Sequence, residues 1–159
     1  MSDIKKEKIL LDDLCPTIRA VTESGGEFLL YPNGESMLPT IKAGRDAVLL
    51  RRADTLRVGD LILYQRKGGA FVLHRIIRID KGGSLVMRGD NQFYNEYGVI
   101  PSSVIAKVSA IIRGSKKIST TSCCFRARSK ARLMFYPLRK LLFRAQNKIK
   151  RMLGGKNNG

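Results

Sequence analysis

The sequence predicts a mainly β protein, built on a coiled, antiparallel, barrel-like sheet with helices at the two ends of the chain. Short runs of β-branched and apolar residues occupy most of the middle of the chain, and glycine turns separate them. Strands and helices do not alternate regularly, which argues against a parallel sheet. The candidate strands are 27–32, 46–52, 61–66, 70–79, 84–88 and 104–112.

The same patterns divide the chain into four segments. Residues 1–24 are expected to form an N-terminal helix, because apolar residues recur there at near-helical spacing. Residues 25–114 form the central domain, and the Ser-, Thr- and Lys-rich segment 115–122 is expected to be a linker. Residues 123–159 form a basic amphipathic tail, which is helical up to a pair of glycines and open to interruption at Pro137.

The positive charge is concentrated after the central domain. The chain has 30 Lys and Arg against 13 Asp and Glu, for a net charge of +17, and its last acidic residue is Glu96. A region of one charge sign needs an anionic partner or exposure to solvent. Since residues 131–153 combine an apolar stripe with Lys and Arg, we expect them to lie on an anionic membrane surface. Packing on the domain is the alternative, and nucleic acid is less favoured because base-reading elements are lacking.

Composition also bears on location and cofactors. No apolar run approaches the ~18 residues that span a bilayer, and the N-terminus lacks the apolar centre of a secretory signal. The expected location is therefore the cytoplasm or the periphery of a membrane. Three cysteines, an odd number, do not indicate a disulfide framework. No cofactor and no metal site are predicted.

Three residues could carry chemistry. Ser36 lies in GESMLPT, where a glycine two positions earlier permits a tight turn and close approach of a substrate. Serine needs an adjacent base, and His74 is the only histidine in the chain. Asp90 follows a strand in the segment GDN and could orient that imidazole. Taken individually, these residues are more simply explained as a loop serine, a half-buried strand histidine and a turn aspartate.

In combination, the motifs resemble a known superfamily. GESMLPT, GRDAVLL, VGDLILY, VLHRIIRI and VMRGDNQ occur in the order and at roughly the spacing of the type I signal peptidases. That superfamily also includes the self-cleaving SOS and phage repressors. The resemblance covers residues 25–112 and implies a signal-peptidase-type sheet. Because His74 stands where most bacterial members have lysine, the chain is most similar to the Ser-His subclass of endoplasmic-reticulum, archaeal and sporulation-type enzymes.

The resemblance also implies a role for each site residue. Ser36 would be the nucleophile, His74 the general base, and the Ser36 N–H a donor to the oxyanion. Asp90 matches the acid of the family's GDN motif, and Glu96 falls where the histidine subclass often has another acid, so either could support His74. Gly34 departs from the serine that many signal peptidases have at that position. Neither the N-terminal transmembrane anchor that is usual in signal peptidases nor the helix-turn-helix domain of a repressor is expected from this sequence.

The leading hypothesis is therefore a serine endopeptidase that cleaves leader- or signal-type peptides. The resemblance implies small residues before the cleaved bond. The peptide would bind as an added strand at a sheet edge. The alternative is a non-catalytic or self-processing regulatory module of the same fold, which would dock on anionic lipid or nucleic acid through its basic tail.

Overall fold

The computed structural model describes residues 11–154 and confirms the predicted fold class. An antiparallel sheet of eight strands lies between one N-terminal and two C-terminal helices. The helices are α1 (Leu11–Glu23), α2 (Cys123–Met134) and α3 (Tyr136–Gly154), with one 3-10 turn at Pro101–Ser103. The strands are β1 (Phe28–Leu30), β2 (Asp46–Arg51), β3 (Leu61–Gln65), β4 (Phe71–Ile79), β5 (Leu85–Arg88), β6 (Glu96–Val99), β7 (Val104–Arg113) and β8 (Lys116–Ser119).

The strand order places β3 and β4 in the interior of the sheet. It runs β1-β2-β7-β3-β4-β5-β6, and β8 pairs with β7 beside this path. All pairs are antiparallel. Tight turns suffice between β3 and β4 and between β4 and β5 because consecutive antiparallel strands need only short connections. This arrangement brings the segments before β2 and after β5 to the strands that carry the candidate site.

The interior strands are buried on both faces, which is why they contain nearly continuous apolar runs. Leu61 and Leu63 of β3 pack in one core together with Ile18 of α1. Ile62 and Tyr64, the alternate residues of β3, pack in a second core on the other face. Because side chains alternate along a strand, successive buried residues of β3 face opposite cores.

Two polar residues occupy consecutive positions on β4. His74 pairs with Ile62 of β3, while Arg75 pairs with Leu61 of β3 and with Arg88 of β5. Both side chains are 1% exposed. Since neighbouring strand residues point to opposite faces, His74 and Arg75 need separate polar partners on the two sides of the sheet.

The structure differs from the sequence prediction at the end of the domain. The segment 115–122, expected to be a linker, contains β8, which continues the sheet by pairing with the last residues of β7. The two C-terminal helices separate at Phe135, and Pro137 lies in the first turn of α3, where a missing N–H is tolerated. The expected helix before residue 11 and the end of the tail, 155–159, lie outside the described residues.

Within residues 11–154, no helix combines the length and the apolar character that crossing a bilayer requires.

Candidate active site

Ser36 lies in the long connection between β1 and β2, and its backbone is fixed against the turn that follows β5. The Ser36 carbonyl accepts a hydrogen bond of 2.8 Å from the Asn91 N–H. A Cβ atom at Gly89 would lie only 2.6 Å from that carbonyl oxygen, so the close approach requires glycine at this position. The next residue, Met37, is buried in the core that contains Leu61 and Leu63, and this burial anchors the segment to the domain. Ser36 is itself half-buried.

His74 is held from one side by Glu96 and Tyr64. Its Nδ1 atom lies 3.1 Å from Glu96 Oε1 and 3.3 Å from the Tyr64 hydroxyl. Because a carboxylate can only accept, the proton of a neutral imidazole belongs on Nδ1. Nε2 then carries the free lone pair. That atom is buried and has no hydrogen-bond partner among the described residues.

Glu96 is kept ionised by two further donors. The Tyr64 hydroxyl donates to Oε2 over 2.7 Å, and Arg66 Nε donates to the same oxygen over 2.8 Å, with a second contact from the guanidinium to Oε1. Burial raises the pKa of Glu96, but the hydrogen bonds from Arg66 and Tyr64 outweigh it, and the pKa lies below its ordinary value. A charged carboxylate therefore faces His74 at neutral pH.

The surroundings of His74 favour its neutral form. Burial lowers the pKa of His74, the Glu96 charge opposes this, and the net direction is downward from 6.5. An imidazole that is neutral near pH 7 can accept a proton at Nε2, which is the protonation state required of a general base.

The Ser36 hydroxyl and the His74 imidazole are not hydrogen-bonded in this structure, in contrast to the arrangement that the sequence analysis required. Their backbone segments are linked through β5 and the turn that follows it. Arg88 pairs with Arg75, the neighbour of His74, and Gly89, one residue further, contacts the Ser36 carbonyl. Backbone contacts alone fix Ser36, so its hydroxyl can still turn about its side-chain bond. Catalytic hydrogen bonds often tighten only when substrate binds.

Asp90 does not contact the imidazole but pairs with Arg75 on the opposite face of β4. The two groups form a bidentate ion pair, with Nε–Oδ1 and Nη2–Oδ2 distances of 2.7 Å. Burial raises the pKa of Asp90, but Arg75 outweighs it and lowers that pKa. The Thr40 hydroxyl donates to the same carboxylate, which ties the Ser36 segment to the pair. Of the two acids that the sequence left open, Glu96 is the one in contact with His74.

The C-terminal helices complete the surroundings of Asp90. Arg75 Nη1 donates to Ser129 Oγ of α2 over 2.8 Å, and Arg132 of α2 lies 3.7 Å from the Asp90 carboxylate. Arg139 of α3 donates to the Asp90 carbonyl over 2.6 Å. The helices therefore contact the turn that fixes Ser36.

Sequence reasoning did not identify four polar residues of this site: Thr40, Tyr64, Arg66 and Arg75. One of them carried a usable signal. Arg75 is a charged residue within an apolar strand, and a buried charge demands a partner. The contacts of Tyr64 and Arg66 depend on the register of β3 and on the position of Glu96, neither of which a local pattern reveals. Within residues 11–154, no cluster of His, Cys, Asp and Glu has the geometry of a metal site.

An eight-stranded antiparallel sheet with helices at the two ends of the chain is consistent with a serine-peptidase type of fold. A model of the family described as Peptidase S24-like matches residues 2–109, more than half of the chain, so the protein belongs to that family. None of the curated proteins compared with the chain matches it. The matched region ends within β7 and leaves β8, α2 and α3 outside.

The first prediction concerns the buried ion pair. Replacing Asp90 with Asn leaves the Arg75 charge buried without its counter-ion, so we expect the free energy of unfolding to fall by about 3–5 kcal/mol in urea denaturation. Asp80→Asn is the matched control, because Arg78 Nε and Asp80 Oδ1 are also 2.7 Å apart but exposed. That change should cost about 0–1 kcal/mol. Equal losses in the two variants would contradict the structural role of Asp90.

The second prediction concerns the single histidine. Because its pKa is lower in the folded than in the unfolded protein, the unfolded chain binds the proton first as the pH falls. The stability contributed by neutral His74 is therefore complete above pH 6.5 and is lost progressively below it. An NMR titration should show one imidazole with a midpoint below 6.5.

Two variants test the cause of that midpoint. Glu96→Gln removes the charge that raises the pKa of His74 and leaves Arg66, which lowers it, so the midpoint should move further down. Glu23→Gln, an exposed change in α1, should leave the midpoint where it is. An upward movement in Glu96→Gln would show that Glu96 does not act on the imidazole as described.

Proposed function

We propose that this protein is a serine endopeptidase in which Ser36 is the nucleophile, His74 the general base and Glu96 the acid that orients His74. The observation that carries the proposal is the state of the imidazole. Nδ1 contacts Glu96. Nε2, the nitrogen that must then carry the lone pair, is buried and has no hydrogen bond to the described residues. An unpaired buried polar atom is costly, which favours a functional reason for keeping it.

The proposed reaction uses these groups in turn. When a peptide carbonyl reaches Ser36, the Oγ atom attacks the carbonyl carbon and its proton passes to His74 Nε2. The resulting imidazolium is stabilised by Glu96 across Nδ1. Nε2 then protonates the leaving amine, and the peptide bond breaks to leave an acyl ester on Ser36. Water, deprotonated by the same nitrogen, hydrolyses the ester and restores the enzyme.

The negative oxygen of the tetrahedral intermediate needs a donor. Among the described residues, the Ser36 N–H donates to no acceptor, so it is free for this role. The Asn91 hydrogen bond to the Ser36 carbonyl orients the same backbone segment. Preorganised N–H groups of this kind contribute strongly because they need no rearrangement during the reaction.

The substrate that we propose is an extended peptide of the leader or signal type, with small residues before the cleaved bond, as the resemblance implies. Strand β1 pairs with β2 on one side only and runs directly into the segment that carries Ser36. A peptide that adds to the free edge of β1 would therefore be led toward the nucleophile. Main-chain hydrogen bonds would bind it, and side-chain pockets would select it.

The third prediction tests the catalytic assignment with a fluorescent library of leader-type peptides. Ser36→Ala and His74→Ala should each abolish cleavage, a loss of about 10⁶ in comparable serine enzymes. Glu96→Gln should lower the rate by about 10²–10⁴ through loss of the oriented base. Ser102→Ala, an exposed serine before β7, is the matched control and should cleave like the unmodified protein.

Each other outcome is informative. Cleavage that survives in Ser36→Ala would reject the nucleophile. No cleavage of peptides by any variant, together with a shortening of the chain itself that requires Ser36, would identify a self-processing protein. The absence of both activities would indicate a non-catalytic module.

A further inference from the structure

The apolar face of the C-terminal helices is exposed. Leu138, Leu141 and Leu142 of α3 are 54–64% exposed, and Met134 and Phe135, which precede the helix, are 70% and 57% exposed. Spacings of three and four residues bring the three leucines to one side of α3, and Phe135 lines the same depression as Leu138 and Leu142. Soluble proteins rarely leave so many large apolar side chains together in water, so such a surface indicates a binding site. We call these five residues the tail surface.

Helix α3 is attached to the domain by its other side. The Arg88 guanidinium lies 3.3 Å from the centroid of the Tyr136 ring, and the rings of Phe143 and Phe93 stack at 4.2 Å. Arg139 donates to the Asp90 carbonyl. An amphipathic helix normally buries its leucines on the core, but here an aromatic and cationic side is packed and the leucines remain outside. The helix is therefore oriented by the fold with its apolar face outward.

Positive charge surrounds the tail surface. Phe135, Leu138 and Leu142 line a shallow depression whose other walls include arginines from both helices. Arg144 and Lys148 are exposed within the next two helical turns. The chain has no acidic residue after Glu96, so no carboxylate of the tail neutralises them.

We propose that the tail surface docks on an anionic membrane, with its apolar side chains among the acyl chains and its cations on the headgroups. A bilayer interface satisfies both properties at once. Nucleic acid would pair with the cations but leave the leucines in water. A second copy would cover the leucines but bring two strongly cationic surfaces together. Charge complementarity therefore favours lipid over the other two partners.

Docking would also fix the position of the proposed peptidase site relative to the membrane. The same helix whose leucines face outward contacts the turn at Asp90 and Asn91, and that turn fixes Ser36. The site would therefore lie beside the membrane surface, where peptides emerging from a bilayer are accessible. This consequence rests on the proposed function, whereas the docking itself does not.

The fourth prediction uses the full chain and phospholipid vesicles in a sedimentation assay. The protein should bind vesicles containing phosphatidylserine, bind phosphatidylcholine vesicles more weakly, and dissociate as salt screens the charges. Leu138→Gln/Leu142→Gln should weaken binding about tenfold or more through lost apolar contact. Tyr31→Gln/Ile100→Gln is the matched control, since both residues are large, apolar and exposed outside the tail, and should bind normally.

A second pair of variants tests the charges. Arg144→Gln/Lys148→Gln should weaken binding to phosphatidylserine vesicles, and Lys67→Gln/Lys81→Gln, two exposed lysines in turns of the sheet, should not. Thermal unfolding of all four variants should match the unmodified protein, because every changed side chain is exposed. Ser36→Ala should bind as the unmodified protein does, which separates this proposal from the catalytic one.

Several results would overturn the proposal. Equal vesicle binding by the leucine variant and its control would exclude the tail surface. Binding that ignores anionic lipid would exclude the role of charge. Tight binding to RNA or DNA without vesicle binding would assign the tail to nucleic acid. Self-association in lipid-free solution that disappears in Leu138→Gln/Leu142→Gln would assign the surface to a second copy.

Discussion

The buried ion pair between Arg75 and Asp90 is the constraint on which the rest of the site depends. A guanidinium that is 1% exposed must have its donors satisfied, and here they reach a carboxylate, a backbone carbonyl and a hydroxyl of α2. The same carboxylate holds Thr40 of the nucleophile segment, and the next residue, Asn91, holds the Ser36 carbonyl. Three further parts of the chain, the Gly59 turn, α2 and the nucleophile segment, are thereby fixed to one charge pair. The position of Ser36 follows from it, although Ser36 does not touch either ion.

Strand alternation explains why the site needs two acids with different roles. His74 and Arg75 are adjacent on β4 and therefore serve opposite faces of the sheet. Asp90 meets the arginine on one face, and Glu96 meets the histidine on the other. Both acids follow β5 within a few residues, so their spacing in the sequence does not separate them. The path of the turn between β5 and β6 decides which carboxylate reaches the histidine and which reaches the arginine.

The strands that could be predicted from the sequence are those whose apolar residues reflect burial. The two strands that were not predicted are held by hydrogen bonds to neighbouring strands. The six candidate strands occur within one or two residues of their predicted bounds. Apolar runs that end at glycine turns are typical of strands. Strand β6 begins at Glu96 and contains Gly98, and β8 is half lysine, so neither has the composition of a strand. Their partners β5 and β7 supply the hydrogen bonds. The contacts of Glu96 with Tyr64 and Arg66 could not be predicted while β6 itself was missing, and its place beside His74 was expected from the resemblance alone.

The cationic tail has two kinds of positive charge, and composition alone cannot distinguish them. Arg132 and Arg139 face inward, against the carboxylate and the carbonyl of Asp90, and support a turn that belongs to the site. Arg144 and Lys148 are exposed. A helix that only carried charge to a partner would not need inward arginines, and one that only braced the domain would bury its leucines. The inward arginines and the outward leucines together imply that α3 connects the turn supporting Ser36 to whatever the apolar face binds, and the proposed membrane contact is the partner that matches both its charge and its apolar surface.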